Sequence, residues 1–130
     1  MSPRKSTEQP TEGELEILQI LWDAGSATVR EVCEVINERR AMGYTTALKL
    51  MQIMFEKGMV IRDESNRTHR YAAAVSKAET RAGIVGNMID KAFGGSAHDL
   101  VVSALGSARA SDAELRRIQE LIAEARKKLK

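Results

Sequence analysis

The residues between Gly43 and Ala73 predict an amphipathic helix that is followed directly by a short basic hairpin. At helical spacing, one face of this helix carries the polar residues Thr45, Lys49, Gln52 and Glu56. The opposite face carries Ala47, Leu50, Met51 and Met54. Lys57-Gly58 supplies a cation and a residue suited to the left-handed conformation at the helix end. We therefore predict a helix that begins near Tyr44 or Thr45, packs on one side and offers its other side for contact.

The hairpin is predicted from three short segments. Met59 to Arg62 contains two β-branched residues, Asp63 to Arg67 is polar turn material, and Thr68 to Ala73 returns as the second strand. The returning segment includes His69 and Arg70. Basic residues are therefore expected both on the helix and on the hairpin, within reach of one polyanion.

Four segments begin with Ser/Thr-x-x-Glu, the capping box in which a hydroxyl and a carboxylate each satisfy an exposed backbone N–H. The four pairs are Thr11/Glu14, Thr28/Glu31, Ser76/Glu79 and Ser111/Glu114. The first two pairs open amphipathic helices separated only by Gly25-Ser26-Ala27. We therefore predict three helices followed by a hairpin in residues 11–75, which is the order of elements in a winged helix-turn-helix domain. Residues 1–10 are expected to form a flexible arm.

From residue 76 the pattern is helical alone, with breaks at Phe93-Gly94-Gly95-Ser96 and at Gly106 to Ala110. The last helix repeats apolar residues at alternating steps of three and four, as Leu115, Ile118, Ile122, Ala125 and Leu129. Because this seam is too apolar to be left in water, its residues are candidate dimer contacts together with Leu100. The predicted fold class is mainly α with a small β-hairpin wing, followed by a helical dimerisation domain over residues 76–130.

Several classes of protein are excluded by what the sequence lacks. Cys33 is the single cysteine, which rules out an intrachain disulfide framework, and the two histidines belong to no group with metal-ligand spacing. No glycine-rich phosphate loop or nucleophile motif occurs, so we predict no enzyme, catalytic residue, metal or cofactor. No apolar run is long enough to span a bilayer, and the first residues show no hydrophobic segment. We expect a cytoplasmic protein with no membrane partner.

The charge pattern leaves two interpretations of the polar helix face open. Residues 1–75 hold ten Lys or Arg against eleven Asp or Glu, which favours a solvated face or a protein-interaction module with little affinity for DNA. Yet Arg39 to Phe55 holds three cations and no acid, and a polyanion responds to the patch in contact with it. We predict double-stranded DNA as the partner. The predicted contacts are Thr45, Thr46, Lys49, Gln52, Arg67, Thr68 and His69.

Five stretches carry a resemblance to a known family. They are Thr11 to Leu18, Leu21-Trp22, Thr28 to Val32, Tyr44 to Lys49 and Glu56 to Val60. These stretches resemble the penicillinase repressor family, the BlaI, MecI and CopY group. The resemblance implies a homodimeric repressor whose third helix enters the major groove of a palindromic operator, through Thr45, Thr46, Lys49 and Gln52. For the β-lactam-responsive members it further implies release by proteolysis, through a pathway that includes a membrane sensor metalloprotease.

Three departures from the family pattern bear on these expectations. Many relatives have an arginine where Ile53 stands, so part of the usual DNA-facing chemistry is absent or moved. The paired cysteines near the C-terminus of copper-responsive members are absent, which disfavours copper sensing. The positions that match the Asn-Phe cleavage site of the β-lactam-responsive members are Ser103-Ala104, and these are the candidate cleavage positions.

Overall fold

The computed structural model describes residues 9–107 and 109–129, and within these ranges the chain forms six helices and one two-stranded hairpin. The elements are α1 (Glu12–Ala24), α2 (Val29–Asn37), α3 (Tyr44–Glu56), β1 (Val60–Asp63), β2 (Arg70–Ala73), α4 (Lys77–Ala92), α5 (Ala97–Ser107) and α6 (Asp112–Lys127). The predicted mainly α fold with a small hairpin wing is confirmed. The predicted flexible arm lies outside the described residues, apart from Gln9 and Pro10.

The helix starts follow the caps predicted from the sequence. Both halves of the capping box form at Thr11/Glu14 and at Thr28/Glu31. The hydroxyls of Ser76 and Ser111 each accept the backbone N–H three residues further on, at 3.0 and 3.1 Å. Ser96 caps α5 in the same way, by accepting the N–H of an aspartate at 3.1 Å. This cap was not predicted, because an aspartate, Asp99, stands three residues after Ser96 where a capping box has glutamate.

The structure divides into two compact units, and the division falls between Val85 and Gly86, within α4. The predicted boundary at residues 75/76 stays a prediction. In the first unit, α1, α2, α3 and the hairpin enclose one hydrophobic core. Its largest fully buried apolar side chains are Ile17, Leu18, Leu21, Ile36, Met51, Met54 and Val32. Since a fully buried aliphatic side chain stabilises a fold by about 1.5–3 kcal/mol, this core is what holds α3 in place.

The hairpin differs from the prediction in both strands. The first strand runs from Val60 to Asp63 instead of from Met59 to Arg62, so the prediction that Asp63 belongs to the turn was wrong. β1 and β2 pair antiparallel in a register that sets Val60 opposite Ala73 and Asp63 opposite Arg70. The second strand therefore begins at Arg70, and the prediction that Thr68 and His69 belong to it was wrong. Both residues lie in the connection between the strands, where the side chain of Asp63 accepts the Ser65 N–H at 2.9 Å.

The second unit has no fully buried side chain among its described residues. Gly94 and Gly95 adopt φ values of 56° and 86°, which explains the predicted break before α5. The prediction that the second break begins at Gly106 was wrong, since α5 includes Gly106 and continues to Ser107, whose hydroxyl donates to the Ser103 carbonyl at 2.7 Å. The prediction that α6 extends to Leu129 was also wrong, because the helix ends at Lys127. Leu129 is 86% exposed, and its role as a dimer contact stays a prediction.

Candidate nucleic-acid interface

α3 presents its predicted polar face to solvent. Thr45, Thr46, Lys49 and Gln52 are all exposed. On the opposite face, Ala47, Met51 and Met54 are completely buried. Glu56 is the last residue of the helix, so its carboxylate lies at the end furthest from the N-terminal turn. The result is a helix anchored along one side, with hydrogen-bonding side chains along the other.

The N-terminus of α3 lacks the side-chain cap that begins α1 and α2. Its N-cap is Gly43, which makes no side-chain hydrogen bond, and its first turn contains no acid. In α1 and α2 a threonine and a glutamate occupy these roles. The first N–H groups of α3 therefore have no side-chain acceptor at the cap and carry the positive end of the helix dipole. Such a helix end is suited to an anion.

A single amide fixes the turn between α2 and α3. The Asn37 side-chain nitrogen donates to the carbonyls of Cys33 and Met42, at 2.7 and 2.8 Å, and its oxygen accepts the Met42 N–H at 3.2 Å. These bonds tie the turn to α2 and so determine where α3 begins. Cys33 itself packs against the core, as predicted, with its sulfur 3.4 Å from the Met42 carbonyl oxygen.

The C-terminal end of α3 is tied to the start of α1 by an ion pair. Lys57 Nζ lies 2.9 Å from Glu14 Oε2, and Glu14 is the buried charged residue of the core. Burial by itself raises the pKa of the Glu14 carboxyl, but the Thr11 N–H and Lys57 outweigh it and lower that pKa below its ordinary value. Gly58 follows with φ of 81°, as predicted for the residue after the helix. From the sequence, Glu14 was predicted only as a capping residue, and its ion pair with Lys57 was not.

The base of the wing is held by contacts to α1 and α2. Tyr71 and Ala27 exchange two backbone hydrogen bonds, at 2.8 and 2.9 Å. The Arg70 guanidinium donates to the hydroxyl and carbonyl of Ser26, both at 3.2 Å, and lies 3.2 Å from a Glu31 carboxylate oxygen. Arg70, one of the basic residues predicted on the returning strand, therefore serves the fold of the wing.

The described cations from Arg30 to Arg70 fall into two groups. One group is held by carboxylates, in the pairs Arg40 with Glu16, Lys57 with Glu14, Arg62 with Glu64 and Arg70 with Glu31. The other group is exposed and forms no ion pair with another described residue: Arg30, Arg39, Lys49 and Arg67. The second group therefore carries the positive charge that a polyanion could contact. Arg62 also stacks on the Phe55 ring, 4.1 Å from its centre, which braces the wing against α3.

A cavity of about 280 Å³ separates the wing from the helices, and we call it the wing cleft. Its lining residues are Val29, Arg30, Tyr44, Leu48, Arg67, Thr68, His69 and Tyr71. The three predicted wing contacts are thus brought together beside the N-terminal half of α3. Thr45 and Lys49 lie about 100° further round that helix than Tyr44 and Leu48, on the adjoining face. Arg30 and Tyr44 were missed by sequence analysis, because only the fold places them beside the wing.

The second unit contains the predicted dimer and cleavage positions. Leu100 and Ile118 are half-buried, whereas Leu115 and Ile122 are 40% and 52% exposed. Further apolar side chains are exposed beside them, including Val101, Val102, Leu105 and Leu121. Ser103 and Ala104 are exposed within α5. Within one chain this unit therefore leaves much of its apolar surface in contact with water.

Metal chemistry has no candidate site in the part of the chain that the structure describes. No three side chains of the ligating types come together there. His69 lines the wing cleft, while His98 lies at the exposed start of α5, 3.3 Å from Asp99. In the same residues, no helix is long and apolar enough to cross a lipid bilayer.

A sequence profile of the penicillinase repressor family matches residues 10–124. The chain belongs to the penicillinase repressor family. Among its relatives is the transcriptional regulator BlaI of Mycobacterium tuberculosis, 34% identical over 76 residues, which cover 56% of this chain and 55% of the relative. The chain thus matches about half the length of that regulator. MecI, the methicillin resistance regulatory protein of Mammaliicoccus sciuri, is 22% identical over 89% of this chain and 94% of its own length.

Solved structures agree with this family assignment at the level of the fold. The Bacillus licheniformis BlaI monomer, determined in complex with the blaP half-operator, aligns with a TM-score of 0.50 and 18% identity, over 58% of this chain and 93% of that chain. RosR of H. salinarum aligns with a TM-score of 0.53 and 16% identity, over 92% and 96% of the two chains. The relatives of this penicillinase repressor family member are named as regulators and not as enzymes, which confirms the prediction of a non-enzymatic protein.

Proposed function

We propose that this chain is a sequence-specific DNA-binding transcriptional repressor that blocks a promoter by occupying an operator. The observation that carries the proposal is the exposed polar face of α3, which is opposite a fully buried apolar face and adjoins the wing cleft. Family membership supports it, as does the likeness in fold to a BlaI determined with its half-operator. The repressor would act in the cytoplasm, with no membrane association of its own.

Each predicted contact has a distinct chemical role in this proposal. Lys49 and Gln52 offer hydrogen bonds to base edges in the major groove. Thr45 and Thr46 contact phosphate or a thymine methyl group at the uncapped start of α3. In the wing, Arg67, Thr68 and His69 approach the DNA backbone or minor groove, where they add affinity without sequence preference. Glu56, at the far end of α3, stays clear of the phosphates.

Binding to DNA is tested first with genomic fragments that the purified protein retains, which are sequenced to define the operator. Fluorescence anisotropy then compares the wild type with Lys49→Ala and with the control Lys77→Ala, an exposed lysine at the start of α4. Lys49→Ala is expected to cost about 1–3 kcal/mol of operator affinity if Lys49 reads a base, or to lower the salt slope by about 1 if it holds a phosphate. A wild-type protein without salt-dependent DNA affinity would instead favour a protein-interaction module.

We further propose that the repressor is a homodimer on a palindromic operator. The support is the second unit, whose apolar side chains at Leu115 and Ile122 are exposed and whose described residues include none that is fully buried. Pairing with a second copy would remove these side chains from water. Two winged helices on half-sites one or more DNA turns apart also discriminate far better than one, because each makes few base contacts.

Release from the operator is proposed to follow proteolysis during β-lactam or cell-wall stress, through a membrane sensor metalloprotease pathway. The candidate bond is Ser103-Ala104, and the support is its exposure within the short helix α5, which follows the glycine break at Gly94-Gly95. Local opening of such a helix needs less free energy than opening the core of the first unit. Cleavage would detach α6 from the DNA-binding unit and weaken dimerisation.

A further inference from the structure

The wing cleft has a one-sided charge. Its lining includes two guanidinium groups, of Arg30 and Arg67, and the imidazole of His69, but no carboxylate. The two acids of the wing, Asp63 and Glu64, lie outside the lining. Hydrogen bonds from the Ser65 side chain and N–H lower the pKa of the Asp63 carboxyl, and Glu64 is paired with Arg62. The first unit is close to neutral as a whole, so this local excess of positive charge is set by the fold.

The two arginines of the cleft come from different elements. Arg30 belongs to the first turn of α2, and Arg67 belongs to the turn of the wing. Both are exposed, and neither pairs with a carboxylate in the described residues. Arg70 lies outside the lining and is paired with Glu31, and Arg62 is paired with Glu64, so among the wing arginines only Arg67 is left without a described carboxylate partner.

The rim of the cleft adds to this bias. Val29 and Tyr71, buried to 6% and 2% exposure, join the lining of the cleft to the core of the first unit. At the rim, the Tyr44 side chain is 50% exposed and begins α3, whose N-terminus has neither a side-chain cap nor an acid. The hydroxyls of Tyr44 and Thr68 add hydrogen-bond donors to the lining.

We propose that the wing cleft is a binding site for one phosphate group and that a phosphodiester of the DNA backbone fills it when the repressor is on its operator. Arg30 and Arg67 hold the phosphate oxygens from opposite walls, since guanidinium groups match phosphate in paired hydrogen bonds. The assignment to DNA rests on the function proposed above. This contact carries no sequence preference, and it fixes the angle at which α3 meets the bases.

Salt-dependent anisotropy tests the proposal on the full chain with an operator duplex and a scrambled duplex. One phosphate contact contributes about 0.9 to the salt slope, so Arg30→Ala is expected to lower that slope by about 1 and to weaken both duplexes about fivefold at 0.15 M salt. Arg30→Ala with Arg67→Ala should lower it by about 2. Arg30→Lys keeps the charge, and should retain the slope with weaker binding. The matched control is Arg81→Ala, an exposed α4 arginine outside the cleft, which should change neither quantity.

A second titration without DNA distinguishes a DNA phosphate from a free phosphorylated ligand. Pyrophosphate is added, and the amide chemical shifts around Arg30 and Thr68 are followed. Weak pyrophosphate binding that Arg30→Ala abolishes supports the phosphate site itself. An unchanged salt slope in Arg30→Ala, with circular dichroism showing a native fold, overturns the assignment to DNA while leaving the repressor function intact. Pyrophosphate binding combined with that unchanged slope overturns it in favour of a free phosphorylated ligand. A wild type that binds neither duplex refutes the repressor function instead.

Discussion

Replacing Lys57 with methionine removes the ion pair that joins the start of α1 to the end of α3. The Glu14 side chain is 2% exposed and its Lys57 partner 29%, with 2.9 Å between Nζ and Oε2. Methionine keeps most of the aliphatic stem, so the change removes the charge and little of the packing. Loss of one partner leaves an uncompensated buried carboxylate, which is far more costly than loss of a surface pair.

The loss in the free energy of unfolding has an upper limit, which is the free energy needed to protonate the unpaired Glu14 carboxylate. Its alternative to remaining charged is to bind a proton, and from an ordinary pKa of 4.5 this costs about 3.4 kcal/mol at pH 7, at about 1.36 kcal/mol per unit. The Thr11 N–H, 3.0 Å away, still stabilises the charged form. We therefore expect Lys57→Met to lower the free energy of unfolding by about 2–3 kcal/mol at pH 7.

The loss also has a defined dependence on pH. In the wild type the pKa of Glu14 is lowered, so its stabilising contribution is complete above about pH 4.5 and is lost as pH falls through the folded-state pKa. In Lys57→Met burial is no longer opposed by the ammonium group, which raises the pKa of Glu14. The variant's deficit should therefore shrink between pH 7 and pH 5.

Urea unfolding, followed by the fluorescence of the single tryptophan, Trp22, measures this deficit at each pH. Lys49→Met is the matched control, because Lys49 is exposed on the same helix and should change stability by less than about 0.5 kcal/mol. A deficit for Lys57→Met no larger than that of the control, or one that is constant from pH 7 to pH 5, would refute the reasoning.

Three further outcomes are expected. Ile118→Asp should give monomers in sedimentation and weaken operator binding, because it puts a charge in the proposed interface; a stable dimer would place the interface elsewhere. In the native cell under β-lactam exposure, an immunoblot should reveal a fragment ending near Ser103, and derepression with a full-length chain would contradict cleavage. Asn37→Ala removes the bonds to Met42 and should lower the free energy of unfolding by about 1–2 kcal/mol in urea, whereas an unchanged value would mean that the turn is held by other contacts.

The parts of the fold that were predicted from the sequence are those governed by neighbouring residues. A capping box needs only four consecutive positions, so Thr11 and Thr28 marked the starts of α1 and α2 correctly. The buried and exposed faces of α3 follow from a period of 3.6 residues, and Gly58 follows from the φ that the chain must adopt after a helix. Each of these signals lies within one helix and the residues that flank it.

The features that escaped the sequence analysis depend on contacts between distant segments. The Lys57–Glu14 bond joins residues 43 positions apart, so Glu14 resembled an ordinary first-turn acid. Arg30 lies two residues after the capping Thr28, and its neighbours in sequence do not indicate that it lies beside the wing. The extent of the turn depended on which residues pair across the hairpin, a matter of register that strand propensity does not determine. The assignment of individual DNA and dimer contacts stays a prediction.

The separation between the anchored base and the projecting turn of the wing has a consequence for how such repressors diversify. Two contacts anchor the end of the hairpin opposite its turn. They are the backbone hydrogen bonds between Ala27 and Tyr71 and the Trp22 hydrogen bond to the Val75 carbonyl, at 2.9 Å. Residues 64–69 lie beyond the paired strands, and apart from the half-buried His69 they are exposed. Insertions, deletions and recombined loops can therefore accumulate in this segment without disturbing the register of the strands or the core. The reach of the wing along a DNA site can thus evolve independently of the bases that α3 reads.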